Sequence, residues 1–144
     1  RFIVNDRLDI ALAVQADGVH LGQDDLPLSA ARLLAPRPFI IGVSVGTVEE
    51  AVLAEKGGAD YLGVGPVYPT GTKADAGPAV GPGLIRSIRE RVAIPIIAIG
   101  GINLTNAGDV LAAGADGIAV ISAVICSPDI AAASRKFADL MIHS

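Results

Sequence analysis

The chain alternates between short apolar runs and longer segments in which apolar positions recur every three or four residues. Short runs rich in Val and Ile are typical of strands, and the longer spacing is typical of helices. The predicted strands lie near residues 2–5, 18–22, 39–44, 60–65, 95–99 and 117–121. The predicted helices lie near residues 7–15, 28–34, 47–57, 82–92, 104–113 and 129–142. The pattern therefore predicts a strand followed by a helix throughout the chain.

A short phrase recurs where a helix gives way to a strand: Ala, then Asp, then Gly or Tyr, ahead of an apolar run. It occurs at Ala16-Asp17-Gly18, Ala59-Asp60-Tyr61 and Ala115-Asp116-Gly117. Each copy follows a helical segment, so it predicts a tight turn into the next strand. Thr47 and Asn103 precede helical segments and are typical residues for a helix start.

The alternation of strand and helix without long insertions indicates right-handed βαβ units and one parallel sheet. An open doubly wound sheet and a (β/α)8 TIM barrel both fit. Near-equal units and the lack of a Gly-x-Gly-x-x-Gly turn favour the barrel. Because the chain begins within a predicted strand, we expect residues 1–144 to be a single domain covering about six βα units, strands three to eight. The sheet is then the C-terminal three quarters of a barrel and is expected to be unclosed, with two N-terminal units outside this sequence.

Composition and charge narrow the class of protein. The chain is 51% hydrophobic and 3% aromatic with a net charge of −4, which argues against a nucleic-acid partner because such proteins are usually basic. No apolar run approaches the length of a membrane span. A single cysteine, Cys126, excludes an internal disulfide framework and indicates a cytoplasmic protein. We expect Cys126 to be a small buried hydrophobic residue rather than a nucleophile.

The carboxyl ends of the predicted strands, where such barrels have their active sites, carry polar residues. Asp6 follows the first strand, and Asp24 and Asp25 follow the second. Carboxylates on adjacent strands can hold Mg²⁺ together with substrate phosphates. Either aspartate could instead cap the next helix. Spacing does not distinguish Asp24 from Asp25.

A second group of polar residues suits an anion. The apolar run at 61–67 leads into Thr70-Gly71-Thr72-Lys73, whose hydroxyls, flexible backbone and lysine charge can bind a phosphate. A plain surface turn is the alternative. Gly100, Gly101 and Ser122 end the last two strands, where barrels often hold a phosphate, although the glycines could serve only as turn formers.

Two further candidates lie within the sheet. Ser44 ends the third strand and has no base near it in sequence, so we expect a hydrogen-bond donor rather than a nucleophile. His20 lies mid-strand, and we expect it to be packed or hydrogen-bonded rather than catalytic. No general base stands out. Two phosphate sites, one with Mg²⁺, favour ionisation of a diphosphate ester, a reaction that needs charge neutralisation but no base.

Six motifs, in order along nearly the whole chain, closely resemble those of the thiamine phosphate synthase family. They lie at Val4–Arg7, Gly18–Asp25, Gly42–Ser44, Gly63–Lys73, Ile99–Asn103 and Ala119–Ser122. The resemblance implies a TIM-barrel transferase that joins hydroxymethylpyrimidine diphosphate to thiazole phosphate and releases diphosphate. It also implies a dissociative mechanism, in which the thiazole nitrogen captures a pyrimidine-methyl cation.

The resemblance implies roles for individual residues. Asn5, Ser44 and Lys73 resemble ligands of the pyrimidine diphosphate, and Ser44 and Lys73 are also the expected catalytic residues. Asp6 and Asp25 resemble the ligands of Mg²⁺, the expected cofactor. The residues that resemble the thiazole phosphate site are Thr70, Gly71, Thr72, Gly101, Ile121 and Ser122. The implied partners are the two small substrates, and a homo-oligomer is left open.

The chain departs from the family pattern in two places. Gly46 stands where many members carry histidine. The family's Gln-x-Arg-x-Lys diphosphate motif has no counterpart here, and we expect it in the two N-terminal units. An isomerase resembling thiazole tautomerases is one alternative function, but it would not need the Asn-Asp, Gln-Asp-Asp and Thr-x-Thr-Lys set. An inactive phosphate-binding fragment is the other.

Overall fold

Six parallel strands form one sheet in the order of the chain. The structure is a computed structural model that describes residues 1–72 and 77–142. The strands are β1 (Ile3–Asn5), β2 (Gly18–Leu21), β3 (Ile40–Val45), β4 (Tyr61–Val64), β5 (Ile96–Ile99) and β6 (Gly117–Ala119). The helices are α1 (Leu8–Ala13), α2 (Leu28–Leu34), α3 (Val48–Lys56), α4 (Gly81–Arg89), α5 (Ala107–Ala112), α6 (Ser122–Ile125) and α7 (Ile130–Ile142).

The strand order decides between the two predicted architectures. Neighbours in the sheet are neighbours in the chain, whereas a doubly wound sheet reverses its order at a switch point. The α/β fold with a singly wound parallel sheet is thus confirmed. In the described part of the chain β1 and β6 each pair on one side only, so this sheet is unclosed, as expected. A complete eight-unit barrel goes beyond these residues.

The hydrophobic core lies between the sheet and its helices. The side chains of Val19, Ile41, Leu62 and Ile96 are fully buried, and alternate positions of the same strands face the opposite, concave side. Small residues such as Ala11, Ala31, Ala51 and Ala107 are fully buried on the helices. Because these residues are small, the helices pack close to one side of the sheet. The opposite, concave side is left for other residues.

The repeated Ala-Asp phrase connects strands in pairs at the amino end of the sheet. The Oδ2 atoms of Asp17, Asp60 and Asp116 accept backbone N–H groups at 2.7–2.8 Å. The donors are Phe2, Ile41 and Ile96, each within one residue of the start of the neighbouring strand. The backbone N–H of each aspartate donates back to the carbonyl of the same residue. We call these three reciprocal pairs the aspartate clamps; they fix β1 to β2, β3 to β4, and β5 to β6.

An arginine neutralises each clamp. Arg1, Arg32 and Arg89 lie 2.6–3.1 Å from the carboxylates of Asp17, Asp60 and Asp116. The central pair is the most buried, with side chains 18% and 20% exposed. Arg32 also donates to the carbonyls of Ala35, Phe39 and Gly58, so it joins the connection before β3 to the connection before β4.

The predicted elements are all present, most of them with shorter bounds, and one helix was not predicted. That helix, α6, follows β6 directly and buries none of its residues, so it has no amphipathic pattern to detect. The prediction that Cys126 is buried was wrong: Cys126 ends this surface helix and is exposed. Thr47 is confirmed as a helix cap, since its hydroxyl accepts the N–H of Glu50 at 3.1 Å. None of the helices in the described residues is long and apolar enough to cross a membrane.

Candidate active site

Side chains on three neighbouring strands meet on the concave side of the sheet. The strand register places His20 opposite Gly42 and Gly42 opposite Tyr61, and it places Ser44 opposite Gly63. Because register partners face the same side of a parallel sheet, the side chains of His20, Ser44 and Tyr61 share the concave surface. They meet although they are far apart in sequence.

His20 connects the other two residues through hydrogen bonds. Its Nε2 lies 2.9 Å from the Ser44 Oγ, and its Nδ1 lies 2.9 Å from the Tyr61 hydroxyl. The expectation that His20 is hydrogen-bonded is confirmed. The expectation that Ser44 has no base nearby holds along the sequence only, since the fold places an imidazole nitrogen against its hydroxyl.

Two glycines make room for this contact. A Cβ on Gly42 would lie 2.0 Å from Cζ of Tyr61, so the tyrosine ring crosses β3 over the glycine. A Cβ on Gly63 would lie 2.8 Å from Cε1 of His20. Both distances are too short for any real side chain. The glycines therefore allow side chains from β2 and β4 to meet across β3.

Burial and charge act on His20 in opposite directions. Burial lowers the pKa of its imidazole, while the carboxylates of Asp6 and Asp25 raise that pKa by a smaller amount. The net direction is downward, which favours the neutral imidazole.

The two predicted metal ligands flank the ends of β1 and β2. Asp6 accepts the Asn5 side-chain amide at 2.7 Å, and Asp25 accepts the Gly22 backbone N–H at 2.6 Å. The backbone of Asp6 is left-handed, with φ of 64°, an uncommon conformation that aspartate tolerates better than most residues. Asp24 is exposed, whereas Asp25 is half-buried and held against β2. The two neighbours therefore differ in burial, and the assignment of Asp25 to the metal stays a prediction.

The donor chemistry of this pair fits a hard cation. Carboxylate oxygens are typical Mg²⁺ ligands, and Mg²⁺ is commonly held by one or two carboxylates plus substrate phosphates. In residues 1–72 and 77–142 no three His, Cys, Asp or Glu side chains form a metal cluster.

A separate cavity opens beside the last two strands. It is about 490 Å³ and is lined by Pro69, Thr70, Gly71, Thr72, Gly101, Ile102, Asn103, Ser122 and Ala123. Five of the six residues predicted for the thiazole phosphate site line it. Ile121 is not among the lining residues, and its side chain is 51% exposed. The predicted ligand Lys73 lies outside the described residues.

The turn after β5 positions the threonine loop. The N–H groups of Val67 and Tyr68 donate to the carbonyls of Ile99 and Gly100. Gly100 and Gly101 have φ of 96° and 64°, and a Cβ on either would lie 2.6 Å from the backbone of Pro66 or Pro69. These glycines therefore allow the turn after β5 to approach the loop after β4 closely. Neither the phosphate hypothesis nor the turn alternative predicted this role for them.

Sequence reasoning missed Tyr61 and Gln23. Gln23 donates its side-chain amide to the Ser44 carbonyl at 2.6 Å. Tyr61 had a detectable signal: it occupies the position at which the other two Ala-Asp phrases carry glycine, Gly18 and Gly117. That departure from the repeat marks the residue that contacts His20.

The chain is similar to known proteins over almost its whole length. The family model described as thiamine monophosphate synthase matches residues 1–124. The thiamine-phosphate synthase of Methanocella arvoryzae is 67% identical over 135 residues, which are 94% of this chain and 64% of that relative. That of Moorella thermoacetica is 59% identical over 143 residues, 99% of this chain and 68% of that relative.

A solved structure agrees with these relatives. The thiamine phosphate pyrophosphorylase from Pyrococcus furiosus superposes with a TM-score of 0.90 at 50% identity, over 98% of this chain and 67% of that one. The chain thus spans somewhat less than two thirds of the Methanocella relative's length. The family match and these identities show that the chain belongs to the thiamine monophosphate synthase family.

Proposed function

We propose that the full-length protein is a thiamine phosphate synthase. It transfers the hydroxymethylpyrimidine group from its diphosphate to thiazole phosphate, giving thiamine phosphate and diphosphate. Family membership supports the reaction, and the arrangement of polar groups supports the assignment of the substrates to two places in the site.

One observation carries the proposal: two groups of polar residues with different chemistry lie at the carboxyl edge of the sheet. The first combines the carboxylates of Asp6 and Asp25 with the Ser44 hydroxyl. The second is the cavity lined by the threonine loop, Gly101 and Ser122. A diphosphate ester with a metal suits the first site, and a phosphate monoester suits the second.

We assign Mg²⁺ to Asp6 and Asp25. When bound, the ion would neutralise charge that develops on the departing diphosphate. The Gly22 N–H holds one oxygen of Asp25, which fixes the orientation of that carboxylate. The Asn5 amide donates to Asp6 and is proposed to contact the diphosphate as well.

The remaining residues bind and orient the substrates. Ser44 donates to the diphosphate, and Lys73 is assigned to the same group through the family motif alone. Thr70, Thr72, Gly101 and Ser122, with Gly71 and Ile121 beside them, hold the thiazole phosphate so that its ring nitrogen faces the pyrimidine-methyl carbon. In a dissociative reaction the carbon–oxygen bond to diphosphate breaks first, and the nitrogen lone pair then forms the new bond. No proton has to be removed by the protein.

We also propose that the complete domain is an eight-unit barrel. Two further βα units would pair with the open edges at β1 and β6 and supply the Gln-x-Arg-x-Lys diphosphate motif. The exposed Phe2 beside β1 and the exposed Ile121 beyond β6 suit such neighbours, since their side chains are 58% and 51% exposed. A cytoplasmic location is proposed because a single cysteine fits a reducing compartment.

Incubation of the full-length protein with both substrates and Mg²⁺ tests the function. We expect equal amounts of diphosphate and thiamine phosphate, and neither when Mg²⁺ is removed by a chelator. The absence of diphosphate release would overturn the synthase assignment. Phosphate binding without turnover would favour the inactive binding module, and interconversion of thiazole phosphate tautomers would favour the isomerase.

A further inference from the structure

The Tyr61 hydroxyl stands at one end of a hydrogen-bonded row that ends at Ser44. The two distances, Tyr61 Oη to His20 Nδ1 and His20 Nε2 to Ser44 Oγ, are both 2.9 Å. A neutral imidazole carries one N–H, so one ring nitrogen donates and the other accepts. The row can therefore run in either direction, and the direction decides whether Ser44 offers a proton or a lone pair.

The surroundings of Tyr61 select one direction. In the described parts of the chain, Nδ1 of His20 is the hydrogen-bond partner that the structure gives to the half-buried Tyr61 hydroxyl. A phenol with one partner is best satisfied by donating, because an unpaired O–H is more costly than an unused lone pair. Nδ1 then accepts, and the imidazole proton lies on Nε2.

We infer that Tyr61 is a positioning residue that holds the His20 proton on Nε2, so that Nε2–H donates to Ser44 and the Ser44 hydroxyl proton points to the ligand. The contact between Ser44 and the ligand rests on the proposed function, in which Ser44 faces a diphosphate. In this direction each group in the row polarises the next, which strengthens the last donor. With Nε2 protonated, His20 cannot remove the Ser44 proton, so Ser44 is a donor and not a nucleophile.

The architecture indicates that this contact is specifically built. Tyr61 replaces the glycine of the other two Ala-Asp phrases, and Gly42 leaves the space that its ring crosses. Gly63 provides the matching space for the His20 ring. Together the two glycines bring the Tyr61 hydroxyl and the His20 ring within hydrogen-bond distance across β3.

The protonation of His20 is measured directly by ¹⁵N NMR of the full-length protein labelled at histidine, at pH about 8, where an unperturbed histidine is neutral. His20→Gln identifies the resonances. In the native protein we expect the Nε2–H tautomer, with the ¹⁵N chemical shift of Nδ1 typical of a hydrogen-bonded acceptor.

Two variants test what sets the tautomer. In Tyr61→Phe we expect Nδ1 to lose that chemical shift and the chemical shifts of the two nitrogens to begin to average. In Ser44→Ala we expect the Nε2–H tautomer to persist, because Tyr61 sets it. An Nδ1–H tautomer in the native protein, or an unchanged spectrum in Tyr61→Phe, would overturn the inference.

Tyr68→Phe is the matched control, since Tyr68 is the second tyrosine and its hydroxyl makes a long contact of 3.5 Å, to the Asn106 carbonyl. It should leave the His20 spectrum unchanged.

Steady-state kinetics test the contact between Ser44 and the pyrimidine diphosphate. Tyr61→Phe should raise KM for the pyrimidine diphosphate about fivefold, the size of one lost hydrogen bond, and leave KM for thiazole phosphate unchanged. In a Ser44→Ala background the same substitution should have no further effect. An equal rise of both KM values would indicate general loosening and contradict the inference. If the tautomer is as expected but no turnover occurs with either protein, the proposed function fails and the positioning of Ser44 stands.

Discussion

The two ends of the sheet use aspartate in opposite ways. At the amino end, Asp17, Asp60 and Asp116 accept backbone N–H groups and pair with arginines in the aspartate clamps. At the carboxyl end, the Gly22 N–H holds the carboxylate of Asp25, and Asp6 and Asp25 are the proposed ligands of a cation. The clamp carboxylates thus have a structural role, and the carboxylates of Asp6 and Asp25 are assigned to the reaction. We therefore expect substitutions at the carboxyl end to affect turnover and clamp substitutions to affect stability.

Removal of charge at the carboxyl end should have the largest effect. Asp25→Asn retains an oxygen that can accept the Gly22 N–H but loses the charge that is proposed to hold Mg²⁺. Asp6→Asn is the equivalent change directly after β1. We expect each to lower Mg²⁺-dependent kcat/KM by roughly 100-fold or more, with little change in the thermal midpoint. Steady-state rates over a Mg²⁺ titration measure this.

Asp24→Asn is the matched control, because it removes the same charge from the exposed neighbour of Asp25. It should retain near-native rates. Native turnover in Asp25→Asn or Asp6→Asn would remove that residue from the metal site.

Loss of a clamp should affect stability and not substrate binding. Asp60→Asn leaves Arg32 without its carboxylate, and we expect the free energy of unfolding to fall by about 2 kcal/mol. Asp116→Asn should have a smaller effect, because its carboxylate is 49% exposed against 20% for Asp60. Urea unfolding measures the difference.

Both clamp variants should retain native KM values under folding conditions. A raised KM with unchanged stability would contradict the separation of the two ends.

The smallest effect should appear in the pH dependence of stability. Burial lowers the pKa of His20 below its ordinary value of 6.5, outweighing the nearby Asp6 and Asp25. As the pH falls below 6.5, His20 takes up a proton in the unfolded chain but not yet in the folded chain. The free energy of unfolding therefore decreases between pH 6.5 and the lower pKa that His20 has in the folded protein. His20→Gln removes this titration. The difference in unfolding free energy between the native protein and the variant should therefore shrink as the pH falls; a constant difference would show that the pKa is not lowered.

Much of the fold could be predicted because local patterns specify it. The apolar runs marked every strand, and the Ala-Asp phrase marked the turns that precede β2, β4 and β6. The order of the motifs placed Asp6, Asp25 and Ser44 at one edge, since parallel strands put their carboxyl ends together. The surface helix α6 lacks such a pattern and was not predicted. Cys126, which follows that helix, was wrongly predicted to be buried.

The sequence by itself determined the alternation of strands and helices, the edge that carries the candidate site and the family to which the chain belongs. Only the tertiary structure decided which polar residues touch. His20, Ser44 and Tyr61 meet because the parallel register aligns three strands and because Gly42 and Gly63 leave space between them. Register and empty space are properties of strands packed side by side, so linear spacing does not contain them.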